Sequence, residues 1–187
     1  DIYATSIDYD AKASESLLLF KTIQNKMHWA AHGHTAAEVI YHRADATKPN
    51  MGLTNWSGTT IRKAETTVAK NYLTTEELDV LNRIVTAYLE FAELQALGHK
   101  PMYMKDWIRK LDGFLEISGR SVLDDAGTIS HDRAVAKAEQ EYEAFHHQQL
   151  EEPSAAERHF IEAVQEIKAI ETSRKLKKKK EGLDARS

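Results

Sequence analysis

Cysteine is absent from the 187-residue sequence, and this absence excludes three kinds of chemistry. The chain can form no disulfide, no thiolate metal site and no cysteine nucleophile. Glycine and proline are also scarce, at 8 and 3 residues, which is low for a β-sheet protein and favours helices. The longest apolar run, LLLF at residues 17–20, is far shorter than the roughly 18 residues that a membrane-spanning helix needs. Because no signal peptide is recognisable either, we expect a cytoplasmic protein that contacts no membrane.

The overall charge gives no general attraction to nucleic acids. The formal net charge is −4 at pH 7, so any surface that binds a polyanion must be local. Hydrophobic residues make up 42% of the chain and charged residues 29%, which is the composition of a chain that folds. A chain of this length suits one domain with an appendage. Since it begins at Asp1 rather than at methionine, we expect a piece of a longer protein.

Apolar residues recur at intervals of three and four over most of the chain, which is the spacing of amphipathic helices. Helices are predicted to begin at a Ser14 cap, at a capping box of Thr74 with Glu77, at Met104, at a Ser130 cap and at a capping box of Ser154 with Glu157. Their predicted core faces are Leu17, Phe20, Ile23, Met27 and Ala30; Leu78, Leu81, Val85, Tyr88 and Ala92; Trp107, Ile108, Leu111, Phe114 and Leu115; and Phe160, Ile161, Val164, Ile167 and Ile170.

The pattern as a whole predicts an all-α fold of six to eight helices. Residues 60–73, TIRKAETTVAKNYL, are predicted to be helical as well, and no alternating strand pattern or internal repeat is present. We place a single helical domain at residues 1–150, followed by a C-terminal helix and a lysine-rich tail at residues 151–187. The six basic residues at 174–180 predict a solvated end, and nonspecific binding to nucleic acid or to an acidic membrane is the alternative.

Residues 28–43, HWAAHGHTAAEVIYHR, contain four of the nine histidines and raise the question of a metal site. If they formed one continuous helix, His34, Glu38 and His42 would lie at four-residue spacing on one face. Two imidazoles and a carboxylate so aligned would resemble a metal or acid–base site.

Two local signals argue against a continuous helix. Gly33 is a typical helix end, because a residue just after a helix often adopts the left-handed conformation. Thr35 with Glu38 fits a capping box, which starts a new helix. The first helix is then predicted to end near His32, and the aligned stripe disappears. We therefore predict Glu38 as an internal cap, His32 and His42 as solvated residues, and neither a metal site nor a cofactor.

Four longer segments are specific enough to suggest a family: DIYATSIDYD, GHTAAEVIYHRADATKPNMGLTNWSG, VAKNYLTTEELDVLNRIVTAYLEFAE and PMYMKDWIRKLDGFL. They resemble the C-terminal region of the virulence RhuM family of bacterial proteins, and the likeness extends over about residues 1–145. The resemblance implies a larger parent with an N-terminal DNA-binding domain of phage-regulator type, encoded on horizontally acquired islands and prophages. It implies no catalytic residue, so the function is argued from the residues themselves.

Polar and aromatic side chains are concentrated between His28 and Tyr72. Cations, amides and flat rings alternate there, which suits a phosphate-bearing ligand with a base to stack. The helix that begins after the predicted break adds free amides and a partial positive charge. We predict a site for a nucleotide or nucleic acid, with ligand contacts from Asp45, Lys48, Asn50, Trp56, Arg62, Lys70 and Asn71.

An enzyme built on this site would attack a phosphodiester or nucleotide by metal-independent acid–base chemistry. His28 and His34 would be the general base and the general acid, because imidazole titrates near pH 6.5. Arg43 and Lys63 would stabilise the developing negative charge. The predicted catalytic set is therefore these two histidines with these two cations.

The same residues also have a purely structural interpretation. Arg43 and Asp45 could form a local ion pair, and Trp56 could fill the core. Lys48 and the cations of residues 60–73 would then only face water.

A third interpretation is functional but not enzymatic. In it the chain is a helical module that oligomerises, or senses an effector, for the DNA-binding domain that the resemblance implies. Residues 78–97 would supply the face of a homodimer, and the polar segment would bind an effector or a partner protein.

Overall fold

The computed structural model describes residues 6–10, 12–98, 101–151 and 159–170. Its regular structure is helical, with no strand in these ranges. The α-helices are α1 (Ser14–His32), α2 (Ala36–Arg43), α3 (Thr75–Leu97), α4 (Met104–Ile117), α5 (His131–Glu151) and α6 (residues 159–170). Three 3₁₀ turns follow α2 and precede α3, namely Pro49–Gly52, Lys63–Glu65 and Ala69–Tyr72. The predicted all-α fold is confirmed.

The chain divides into two compact units, Asp1–Phe145 and His146–Ser187. In the first unit α1 packs against both α3 and α4, and α2 packs against the turn Ala69–Tyr72. No helix in the described part of the chain is long and apolar enough to cross a membrane. The predicted capping box of Ser154 with Glu157 and the lysine-rich tail lie outside the described residues. The candidate site belongs to the first unit.

The core of the first unit forms where the predicted apolar faces meet. Every residue predicted for the core faces of α3 and α4 is buried or half-buried. Tyr88 of α3 is fully buried, and its hydroxyl donates to the carbonyl of Trp107 on α4 at 2.8 Å. On α1, Ile23 and Met27 are buried, whereas Leu17 in the first turn is 55% exposed. Three- and four-residue periodicity therefore identified most of the buried apolar residues of α1, α3 and α4.

Residues 60–73 do not form the predicted helix and contain two 3₁₀ turns instead. Side chains take over the backbone hydrogen bonds that a helix would have used. The Asn71 amide donates to the Glu65 carbonyl at 3.0 Å, and the Tyr72 hydroxyl donates to the Thr66 carbonyl at 2.9 Å. Three consecutive β-branched residues at 66–68 also disfavour a helix. The segment has the amphipathic composition of a helix, but its polar side chains hold it as a compact loop.

The predicted core face of α6 is not buried. Phe160, Ile161, Ile167 and Ile170 are 45–69% exposed, and Val164 is half-buried. Helical spacing shows which side chains share a face, but it does not show whether anything covers that face. The expectation that these residues point into a core is therefore wrong.

Candidate functional site

The chain breaks at Gly33, as the sequence predicts. Helix α1 ends at His32, and Gly33 adopts the left-handed conformation with φ 77° and ψ 17°. Thr35 then caps α2, since its hydroxyl accepts from the Glu38 amide at 3.3 Å and the Glu38 carboxylate accepts from the Thr35 amide at 2.8 Å. Residues 28–43 are thus two helices joined by a sharp corner.

Glu38 has a structural role at this corner. Its second carboxylate oxygen accepts from the amide and the hydroxyl of Thr128, at 2.8 and 2.7 Å. Burial raises the pKa of Glu38, but the hydrogen bonds from Thr128 and Thr35 outweigh it and lower the pKa to about 2. The ionised carboxylate therefore joins the start of α2 to the loop that leads into α5.

The corner brings four histidines into a row, although it destroys the continuous helical stripe. His28 Nδ1 lies 3.0 Å from His32 Nε2, within hydrogen-bond distance. The rings of His32 and His34 stack with centroids 6.2 Å apart, and the rings of His34 and His42 lie 6.1 Å apart. His28 is buried, His32 is half-buried, and His34 and His42 are exposed. The prediction of a solvated His32 is wrong, because its i, i+4 spacing places it against His28 on the inner face of α1.

The two inner histidines are neutral at pH 7. Burial, together with the repulsion that a protonated His32 would exert, lowers the pKa of His28 to about 4. Burial also lowers the pKa of His32. Within the described residues, no group of three histidine, aspartate or glutamate side chains is placed to hold a metal ion. At neutral pH this pair can therefore act through hydrogen bonds rather than through charge.

Arg43 is engaged by a carboxylate. Its Nη1 and Nη2 donate to the two carboxylate oxygens of Glu77, each at 2.6 Å, and Nη1 also donates to the Tyr72 carbonyl at 2.8 Å. These contacts join the end of α2 to the start of α3. The structural interpretation of Arg43 expected an ion pair with Asp45, and the partner is Glu77 instead.

Lys63 and the residues near Asp45 likewise contact protein groups. The ammonium of Lys63 lies 3.2 Å from Glu143 and 3.5 Å from Glu139 of α5. Asp45 forms an ion pair with Lys48 at 3.7 Å. These cations bind acidic side chains of the same unit.

The other predicted ligand contacts have varied surroundings. Trp56 is half-buried and packs against the core. Asn71 is buried and contributes to the compact loop of residues 60–73, as described above. Asn50 is exposed with a positive φ of 54°, and Arg62 is exposed. None of these four side chains lines the cavity described next.

A cavity of about 610 Å³ lies between α1, α2, the turn Ala69–Tyr72 and the start of α5. Two lysines and two histidines line it, and no carboxylate does. Its charged and polar lining residues are Lys21, Gln24, Asn25, His28, Thr67, Lys70, Ser130 and His131, and its apolar ones are Ala36, Ala37, Ile40, Val68, Ala69, Leu81, Ala126 and Ile129.

The cavity includes two of the predicted site residues, His28 and Lys70. The other predicted catalytic residues, His34, Arg43 and Lys63, do not line it, so the predicted catalytic set does not converge on this cavity. The structure instead brings His28 together with Lys70, which is separated from it by 42 residues.

Sequence reasoning missed the contribution of α1 to the cavity. Lys21, Gln24 and Asn25 lie three to seven residues before His28 and share its helical face. This polar stripe runs beside the apolar core stripe of the same helix, and its spacing was visible in the sequence. Its functional meaning depends on α2 and α5, which form the facing wall.

The family is shown by a comparison with known proteins. The model of the virulence protein RhuM family matches residues 1–154, most of the chain. No curated protein and no solved structure shows significant similarity to the chain. The chain therefore belongs to the virulence protein RhuM family.

Proposed function

We propose that the first unit binds a small phosphate-bearing molecule of nucleotide type in the cavity, and that it senses this molecule rather than transforming it. The single observation that carries the proposal is a cavity with an apolar floor, two lysines and no carboxylate. Its volume lies within the range of roughly 300–1,000 Å³ that is usual for small-molecule sites.

The two lysines of the cavity differ from the other cations of the region. Lys21 and Lys70 form no ion pair with any residue that the structure describes, whereas Arg43, Lys48 and Lys63 all do. An exposed lysine beside a carboxylate-free surface attracts anions, because no neighbouring negative charge competes. These two ammonium groups are therefore the proposed phosphate contacts.

Two helix N-termini at the cavity also favour a negatively charged ligand. Ala36 and Ala37 open α2, Ser130 and His131 stand at the start of α5, and all four residues line the cavity. The first amides of a helix have no partner within the helix and can donate to an anion, while the carboxylates of Glu38 and Asp132 in the first turns offset part of the helix dipole. The amides of Gln24 and Asn25 and the apolar floor would accommodate the organic part of the ligand.

The enzymatic alternative is favoured by one observation, the contact between His28 and His32 at the cavity wall. In that alternative His28 would move a proton during attack on a phosphate ester. Binding is the stronger proposal because Arg43 and Lys63, the groups proposed to stabilise the transition state, both engage carboxylates away from the cavity.

The wider biological role extends the proposal. We propose that the parent protein acts in the bacterial cytoplasm as a mobile-element regulator, in which an N-terminal domain binds DNA. A homodimer through α3 would suit such a role, and the exposure of Leu89, Leu94 and Leu97 supports it. Light scattering of the purified protein tests this point, and a monomer at all concentrations would count against it.

Calorimetric titration with each of the four nucleoside monophosphates, and with a short single-stranded DNA, tests the proposed function. We expect Lys21→Ala and Lys70→Ala each to weaken nucleotide binding by about ten- to 100-fold, since a lost charge-assisted hydrogen bond amounts to roughly 1.5–3 kcal/mol. Lys48→Ala is the matched control, because Lys48 lies outside the cavity and already pairs with Asp45. Equal losses in all three variants, or no binding of any probe, would refute the proposal. Conversion of a probe to product would favour the enzyme.

A further inference from the structure

Only one ring nitrogen of His28 is left for a ligand. Its Nδ1 is occupied by His32 Nε2 at 3.0 Å, one helical turn away on α1. His28 itself is 4% exposed and lines the cavity wall. The nitrogen left for a ligand is therefore Nε2, and its usefulness depends on whether it carries the proton.

The contact with His32 allows two proton arrangements. In the first, His28 Nδ1–H donates to His32 Nε2, and His28 Nε2 is a bare lone pair that repels an anion. In the second, His32 Nε2–H donates to His28 Nδ1, and His28 Nε2–H is a hydrogen-bond donor. A neutral imidazole carries one proton on its ring nitrogens. The direction of the hydrogen bond with His32 therefore determines whether Nδ1 or Nε2 of His28 is protonated.

The surroundings of His32 distinguish the two arrangements. His32 Nδ1 is buried and has no partner with hydrogen-bond geometry among the described residues, and a contact with its own backbone is the smallest influence on the pKa of the His32 ring. The first arrangement would place a proton on this nitrogen and leave a buried N–H group unsatisfied. The second leaves only a lone pair there. In folded proteins a buried N–H group without an acceptor is rarer than a buried acceptor without a donor. This difference favours the second arrangement.

We propose that His32 is a positioning residue that holds His28 in the tautomer with its proton on Nε2, so that His28 offers a neutral N–H donor to a phosphate oxygen in the cavity. This inference rests on the proposed function for its ligand, but the tautomer itself belongs to the ligand-free protein. Together with Lys21 and Lys70, this donor gives the cavity three groups that suit a terminal phosphate.

The charged groups around the pair are consistent with a neutral donor. Lys21, Lys70 and His131 share the cavity with His28, and the ion pair of Arg43 with Glu77 lies near His32. A positive charge on His28 would be repelled by the two lysines of the cavity, whereas a neutral N–H group adds a donor without adding charge.

Nitrogen NMR on the free protein tests the tautomer directly. Protein labelled with ¹⁵N in its histidines gives separate shifts for protonated and bare ring nitrogens, and His28→Gln and His32→Gln assign the two spin systems. We expect His28 Nε2 to be protonated and Nδ1 to be bare at pH 7. A proton on Nδ1, or an even mixture of the two tautomers, would overturn the inference whether or not any nucleotide binds.

Two variants at position 32 then test the positioning role. His32→Leu removes the donor, and we expect a mixed tautomer at His28 and a nucleoside monophosphate affinity lower by about fivefold. His32→Gln keeps an N–H group at similar reach, so it should restore both the single tautomer of His28 and the nucleotide affinity. If His32→Leu does not fold, the wild-type and His32→Gln spectra still decide the tautomer. If the wild-type protein binds no probe, the proposed function fails while the tautomer is judged on its own spectrum. Equal affinity in the two variants would refute the positioning role.

Discussion

Arg43 and Glu77 form a two-point ion pair, with 2.6 Å between each guanidinium nitrogen and its carboxylate oxygen. The same carboxylate caps α3, because it accepts from the Thr74 amide at 3.0 Å. The side chain of Arg43 therefore connects the end of α2 to a capping interaction at the start of α3. The neighbouring guanidinium holds the pKa of Glu77 at about 2, so the pair stays ionised in all ordinary conditions.

Arg43→Ala is expected to lower the free energy of unfolding by about 2–3 kcal/mol, the usual effect of losing hydrogen bonds to a partly buried charged group. Arg43→Lys should recover only part of this loss, since an ammonium cannot bind both carboxylate oxygens in the same plane. Urea unfolding measures the free energy of unfolding of both variants. Arg83→Ala is the control, because Arg83 pairs with Asp79 at the exposed surface and its loss should change stability much less. Equal effects at the two arginines would contradict this account.

The local parts of the site could be predicted from sequence, and the long-range parts could not. Gly33 and Thr35 indicate the helix break, because a left-handed glycine and a capping box each depend only on residues close together in the sequence. Arg43 and Glu77 are 34 residues apart, and nothing in their own neighbourhoods identifies the pairing. The helix predicted for residues 60–73 does not form, because polar side chains of this segment donate hydrogen bonds to its own backbone carbonyls.

The candidate cavity shows the same division. The polar stripe of α1 from Lys21 to His28 was present in the sequence at helical spacing. Which of the many basic residues would join it depended on the packing of α2 and α5 against α1. That packing selects Lys70 and leaves Lys63 beside Glu143, a distinction that charge patterns cannot supply.

The buried Thr35 hydroxyl is expected to stabilise the corner. Thr35 is fully buried, and Thr35→Ala would leave the Glu38 amide without its acceptor. We expect a loss of about 1–2 kcal/mol in the free energy of unfolding. Thr22→Ala is the matched control, since Thr22 lies inside α1 and alanine is the better helix former there. Thermal unfolding compares the two, and a neutral Thr35→Ala would show that the capping box contributes little.

His28 should make the protein less stable as the pH falls. Its pKa is about 4 in the folded protein and near 6.5 in the unfolded chain, so below pH 6.5 the unfolded chain binds a proton that the folded protein does not. The stability that the neutral imidazole allows is complete above pH 6.5 and declines as the pH falls towards 4, by at most about 1.4 kcal/mol per pH unit. Urea unfolding at several pH values should show a shallower decline in His28→Gln. An unchanged slope in His28→Gln would contradict this account.

Gly127 tests how closely the loop before α5 approaches α2. A Cβ at this position would lie 2.6 Å from Thr35 Cγ2 and 3.3 Å from Glu38 Oε1, and φ is +81°. Gly127→Ala therefore combines backbone strain with a collision at the capping box, and it should cost about 2–4 kcal/mol in the free energy of unfolding. Gly119→Ala is the control, because φ is +68° there but nothing lies within 4 Å of the added carbon, so only backbone strain of about 1 kcal/mol is expected. The difference between the variants measures the collision alone.

Because the neighbouring Ala126 and Ile129 line the cavity, Gly127→Ala should also weaken nucleotide binding, whereas Gly119→Ala should not. Equal losses of stability in the two variants would mean that the loop moves aside freely, and a cavity wall that moves so easily could not hold a ligand in one position.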